Sequence, residues 1–126
     1  MAMTDSIEAE TRAAIDRFND ALNRHDVDAV MAAMTADCVF ENTWPPPDGE
    51  RFDGQSAVRA FWENMLRASP DARFDAEETV VAGDRCVVRW HYSYTGDDGQ
   101  KHHLRGIDLF KVQDGLVAEK LAYVKG

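Results

Sequence analysis

Asp108 is where a chemical reading of this chain begins. It stands between Ile107 and Leu109 in the apolar run 103–112, which predicts a long strand bounded by Gly96-Asp97-Asp98-Gly99 and by Asp114-Gly115. A carboxylate inside an apolar strand is costly to bury, so an inward Asp108 implies a purpose. With a cation within ~4–6 Å it stays ionised and serves as a base; without one, desolvation raises its pKa and makes it a donor or general acid. Alternation alone also allows the plainer arrangement, an Asp on the solvated face of its strand. If it faces in, Gly106 and Phe110 share its side.

Few other residues carry chemistry by spacing. His102 and His103 are neighbours in a strand and point to opposite faces, which rules them out as a metal pair. Cys38 and Cys86 lack metal spacing and each adjoins a valine, so buried free thiols are expected rather than a disulfide, in keeping with a cytoplasmic setting. Glu77-Glu78 reads as a solvated strand rim. No glycine-rich phosphate loop follows a strand, and no cofactor or metal is expected.

These groups must be held by one domain, 1–126, long enough to bury a core and keep a pocket beside it. Hydrophobic content of 44% and charged content of 29% are those of an ordinary globular protein. The net charge of −9 argues against nucleic acid or an anionic membrane as partner. No apolar run approaches the ~18 residues of a membrane span. The start of the chain lacks a basic segment followed by an apolar one.

Asp5 with Glu8 three residues on predicts a helix start, and Ile7, Thr11, Ile15, Phe18 and Leu22 recur at helical spacing to about Asn23. Asp26 caps a second, short helix carrying Val27, Val30, Met31 and Met34. A brief strand spans 37–42. Residues 43–54 hold Pro45, Pro46, Pro47 and Gly49 and read as a surface loop pinned by Trp44 and Phe52. A third helix covers 55–67, with Val58, Phe61, Trp62, Met65 and Leu66 on one face. Strands at 73–82, 85–95, 100–112 and 116–124 follow, joined by short turns that make them antiparallel neighbours. The layout is α+β: three N-terminal helices cover one face of a strongly curved, mainly antiparallel sheet, a cone with an internal pocket.

The segments Ala21-Leu-Asn-Arg-His-Asp-Val-Asp, Asp37-Cys-Val-Phe-Glu-Asn, Gly54-Gln-Ser-Ala-Val-Arg-Ala-Phe-Trp, Gly83-Asp-Arg and Asp114-Gly-Leu-Val occur in that order. Together they resemble the SnoaL-like polyketide cyclase group within the nuclear transport factor 2-like superfamily, over about residues 7–123. The resemblance implies the cone fold. It leaves function open, because the same cone hosts isomerases, cyclases, dehydratases, epoxide hydrolases and binding subunits. Asp108 matches the ketosteroid isomerase Asp that donates to the developing oxyanion. That enzyme's oxyanion-hole Tyr falls at Phe18, and its general base falls at Asn42, so two of its three catalytic groups are missing. The limonene epoxide hydrolase Arg-x-Asp motif is reduced to Arg89-Trp90-His91, and its second Asp falls at Ala122. Asp108 is the plausible counterpart of the acid–base Asp of the SnoaL-type cyclases.

By the same resemblance Arg89, His91 and Ser93 face inward from one strand, Lys120, Ala122 and Val124 from the last, Phe40 and Asn42 from the first. Phe18 and Phe61 come from the helices. The expected pocket is an apolar cup with Asn42, Arg89, His91, Asp108 and Lys120 as its polar groups. His91 and Asp108 would be the acid–base pair, while Arg89 and Lys120 would either stabilise an oxyanion or merely neutralise Asp108. Phe18, Phe40, Phe61 and Phe110 supply apolar wall, and Trp44 a loop anchor or lid. Three classes of function fit: an acid–base enzyme on a small, largely apolar carbonyl or carboxylate compound, a non-catalytic binder of such a molecule, and a structural module that dimerises. A homodimer through the outer sheet face is expected, since Ile107, Leu109 and Leu121 would otherwise meet water.

Overall fold

The computed structural model describes residues 2–126, with side chains from Ser6 onward. Three helices, α1 (Ala2–Asn23), α2 (Val27–Ala32) and α3 (Gln55–Ala68), lie against one six-stranded sheet. Its strands are β1 (Met34–Glu41), β2 (Arg51–Asp53), β3 (Arg73–Ala82), β4 (Arg85–Thr95), β5 (Lys101–Gln113) and β6 (Leu116–Val124), in spatial order β2-β1-β6-β5-β4-β3. The α+β layout is the expected one. Every pairing is antiparallel except β1 on β6, which runs parallel and draws the first strand back beside the last.

Helix α1 begins at Ala2, ahead of the expected start at Asp5, whose side chain lies outside the described residues. Its inner stripe, Thr11, Ala14, Ile15, Phe18, Ala21 and Leu22, is almost wholly buried. At its end Asn23 clips the helix to β3: its amide donates to the Phe74 carbonyl and accepts from the Phe74 N–H, both at 2.8 Å. Asp26 caps α2 by accepting from the Ala29 N–H at 3.0 Å, as its position predicts. Gln55 opens α3 and donates to the carbonyls of Met31, Met34 and Thr35, so the second and third helices enter the fold as one unit.

The proline-rich segment is less bare than expected. Arg51–Asp53 pairs with β1, placing Phe52 opposite Phe40, and the intervening loop folds back through Asn42 N–H to Glu50 carbonyl at 2.9 Å. Gly49 makes that return possible: its φ is +77°, and a Cβ there would lie 1.7 Å from the Asn42 carbonyl oxygen. Phe52 stacks on Phe40 at 6.0 Å and does pin the loop. Trp44 does not; it is 69% exposed.

The core lies between the helices and the inner sheet face. Trp62, Phe18, Phe40, Phe110, Ile15, Leu22, Val58, Val88 and Val117 are essentially free of solvent. Phe18 meets Trp62 and Phe110 edge-on, with ring centres at 6.4 and 5.8 Å, the geometry aromatic quadrupoles favour. Among the described residues only two charged side chains join this interior, Asp108 and Lys120, each 4% exposed.

Candidate functional site

The site is set by the alternation of three adjacent strands. On β5, Leu104, Gly106, Asp108 and Phe110 share the inner face. Register then fixes β4 and β6: Val88 and Ala122 lie opposite Asp108, Trp90 and Val124 opposite Gly106, and Lys120 opposite Phe110. Asp108 and Lys120 therefore stand on one face, a residue pair apart diagonally, and the Lys120 ammonium donates to Asp108 Oδ1 at 3.0 Å. The side chains are 6% and 5% exposed, so water screens this pair very little. Lys120 Nζ also lies 4.8 Å from the centre of the Phe40 ring and 5.5 Å from that of Trp62, which adds cation–π attraction.

Burial pushes the Asp108 carboxyl above its ordinary value; the Lys120 ammonium pulls the other way, as does the Trp90 indole N–H, and burial prevails. The indole is close enough to Asp108 to favour the ionised form, but Trp90 Nε1 closes no well-aligned hydrogen bond. The Trp62 N–H is likewise buried without an acceptor. Unpartnered buried donors are uncommon enough to mark a place where a ligand atom could belong.

Beside the pair is a cavity of about 70 Å³ lined by Phe40, Asn42, Phe61, Trp62, Trp90 and Lys120, with Met65, Tyr92 and Leu104 among the residues that complete its wall. It holds on the order of five water-sized groups, so a small ligand fits and a larger one must displace a flexible side chain such as Met65. Asp108 is absent from this wall. It borders a second, much smaller void of about 10 Å³ with Asn19, Leu22, Phe74, Ala76, Val88 and Trp90. Trp90 and Phe74 border both spaces and part them. A ligand in the larger space meets the lysine; the carboxylate stands behind it.

Of the residues expected in the cup, Phe40, Asn42, Phe61 and Lys120 line the cavity. Phe18 and Phe110 are fully buried in the core behind it. Arg89, His91 and Ser93 are corrected: all three sit on the outer face of β4. Arg89 is exposed and bridges Glu78 at 3.4 Å, while His91 stacks on His103 with ring centres 4.9 Å apart. The inward residues of β4 are Cys86, Val88, Trp90 and Tyr92, the strand's own apolar alternation, with Val88, Trp90 and Tyr92 paired to inward residues of β5. Trp44 is corrected as well: it is largely exposed and off the cavity wall, so it does not anchor the loop. The wall residues missed were Trp62, Trp90, Tyr92, Phe74 and Leu104, and that alternation was the signal for the two on β4. Burial keeps the Tyr92 phenol above its ordinary value, so it remains protonated. Among the described residues no three His, Cys, Asp or Glu side chains converge as a metal site. His102 pairs with Asp98 at 3.0 Å, on the opposite face from His103. Cys38 and Cys86 are free and buried, and burial pushes both thiols up, away from the reactive thiolate.

Three helices against a curved six-stranded sheet define a class of α+β folds, and comparison with known proteins says which family of that class the chain falls in. The model of the SnoaL-like domain matches residues 15–120, and the chain belongs to that family. It is 42% identical to an NTF2-like protein of unknown function from Mesorhizobium loti, over 94% of this chain and 93% of that one, with a TM-score of 0.78. At 24% identity it is similar in fold to a candidate polyketide cyclase from Sinorhizobium meliloti, over 87% and 93% of the two chains, TM-score 0.72. At 23% identity it is similar in fold to a Mycobacterium tuberculosis protein in complex with estradiol-17beta-hemisuccinate, over 90% and 92%, TM-score 0.78. No curated protein matches the chain.

Proposed function

We propose that this protein is an acid–base enzyme, of isomerase, cyclase or dehydratase type, acting on a small, largely apolar carbonyl compound held in the cone cavity. The buried Lys120–Asp108 pair at the foot of an aromatic cavity carries this reading. The 3.0 Å hydrogen bond gives the Lys120 proton a path to the Asp108 carboxyl, which burial pushes above its ordinary value, and the transfer leaves a free amine. In that form Lys120 removes a proton from the carbon next to the carbonyl. The enolate oxygen that develops then meets the ammonium just formed, in surroundings where attraction is strong. Returning the proton at another carbon gives isomerisation; attack of the enolate on a second carbonyl gives cyclisation.

Two further observations support a ligand here. The buried indole N–H of Trp62, a residue of the cavity wall, has no acceptor and would donate to a carbonyl oxygen. The Mycobacterium tuberculosis neighbour holds a small organic molecule, as does a Catenulispora acidiphila neighbour in complex with trimethylamine. A pair with no net charge in an apolar cup favours a neutral carbonyl over a carboxylate. We further propose the cytoplasm as its compartment, from its two free thiols, and a homodimer through the outer sheet face.

The test is deuterium exchange from D₂O into the α-position of cyclohexanone and acetophenone, followed by NMR. The wild type should exceed the buffer rate, and Asp108→Asn should lose roughly 10²–10⁴-fold of the enhancement. Saturable ketone binding with exchange no faster than buffer would leave a non-catalytic binder in place of an enzyme.

A further inference from the structure

We propose that Lys120 is a nucleophile that condenses with an aldehyde or ketone in the cavity to form an imine, with Asp108 moving the protons. This rests on the reading above only in taking a carbonyl compound as the ligand. It adds a covalent step that simple proton transfer does not need.

Lys120 is the only amine on the cavity wall, and it reaches there past Phe40 and Trp62 while 5% exposed. A lysine desolvated among aromatic rings is the setting in which an ε-amino group acts as a nucleophile. Its carboxylate partner is 3.0 Å away but borders the separate small void, so Asp108 is placed to serve the nitrogen rather than the ligand. A pair needed only for neutrality could be replaced by apolar side chains at little or no cost in stability. Retaining it with the nitrogen toward the cavity is what amine chemistry requires.

Asp108 takes one proton from the Lys120 ammonium, leaving a free amine. The nitrogen lone pair attacks the carbonyl carbon, the C–N bond forms, the carbonyl π pair moves to oxygen, and a proton passes from the now cationic nitrogen to that oxygen, giving a neutral carbinolamine. The nitrogen passes a proton to the hydroxyl and takes Asp108's proton in its place, its lone pair closes the C=N bond as the C–O bond breaks, and one water leaves. The cationic imine stands against the carboxylate. It draws electrons from the neighbouring carbon more strongly than the carbonyl did, which makes the same α-proton easier to remove.

The test is reductive trapping of the full-length protein with benzaldehyde or cyclohexanone and sodium cyanoborohydride, read by intact mass and peptide mapping. The chain holds four lysines, Lys101, Lys111, Lys120 and Lys125, so mapping assigns each adduct. The expected result is labelling of Lys120 at least about tenfold faster than of the other three, slowed in Asp108→Asn and absent in Lys120→Arg. The wild-type distribution decides the matter even where a variant fails to fold. Label confined to Lys101, Lys111 and Lys125 overturns the proposal. If α-deuterium exchange persists with Lys120 unlabelled, the imine is sunk and plain proton transfer stands. If Lys120 is labelled without exchange, the imine stands and proton transfer is sunk. Absence of both removes the two together.

Discussion

Lys120 and Asp108 are costly residues to keep where they are, and that cost can be measured. Removing one partner leaves a desolvated charge without a counter-charge, so Lys120→Met or Asp108→Leu should each lose about 3–5 kcal/mol in urea unfolding. The double replacement should be near neutral or gain about 1–4 kcal/mol while abolishing ligand chemistry. Additive losses would show that the pair is not coupled as its geometry requires. The pair also has a pH signature. The folded carboxyl binds its proton more tightly than the unfolded one, whose ordinary value is 3.8. Its contribution is fully present below that pH and is lost as pH rises through the folded pKa. Unfolding free energy of the wild type relative to the double variant should fall with rising pH above 3.8 and then level off. A rise over that window would contradict the direction assigned to Asp108.

Among strands and helices, Gly106 is the element-scale determinant of the site. A Cβ there would meet the Tyr123 carbonyl oxygen at 2.2 Å and the Trp90 ring at 2.7 Å, and the backbone oxygen cannot swing aside. The missing side chain is what lets Trp90 lie across β5 between the two voids. Gly106→Ala should cost about 1–3 kcal/mol and shift tryptophan fluorescence as the indole is displaced. An unchanged spectrum with full stability would mean that Trp90 does not depend on that space. The same elements show what the chain discloses before it is folded. The four long strands and their turns stand in the sequence because each hairpin is local and punctuated by Gly and Asp. The parallel pairing of β1 with β6 is not there to read, since it joins distant segments with no turn between them. Three-residue β2 was missed because Arg51-Phe52-Asp53 is too short to show alternation and follows a proline run. Asp108 and Lys120 face inward, as the resemblance implies. Arg89 and His91 face outward against it, and the apolar alternation Cys86, Val88, Trp90, Tyr92 on their own strand is the better guide there.

For the molecule as a whole, the outer face of the sheet is the remaining question. Val87, Leu109 and Leu121 are paired across β4, β5 and β6, and the next row sets Arg89, Ile107 and Tyr123 side by side. Ile107 and Tyr123 are 36% and 54% exposed, with Val80 at 53% on β3, so this face presents apolar side chains amid ion pairs such as Arg89–Glu78 and Arg105–Glu77. A second copy is the partner we propose, because the charges here are already matched within each chain and need no external counterpart. Two chains of net charge −9 nevertheless repel at long range. Association should therefore tighten with added salt, as screening shortens to ~8 Å at 0.15 M, up to the point where the local ion pairs weaken. Light scattering at micromolar concentration should give a dimer. Ile107→Glu should shift it toward monomer, by placing an unmatched carboxylate in the centre of the apolar row, without disturbing the inward-facing Asp108 one residue away. A monomer at every salt concentration in the wild type would leave this face without the proposed partner and the cavity chemistry untouched.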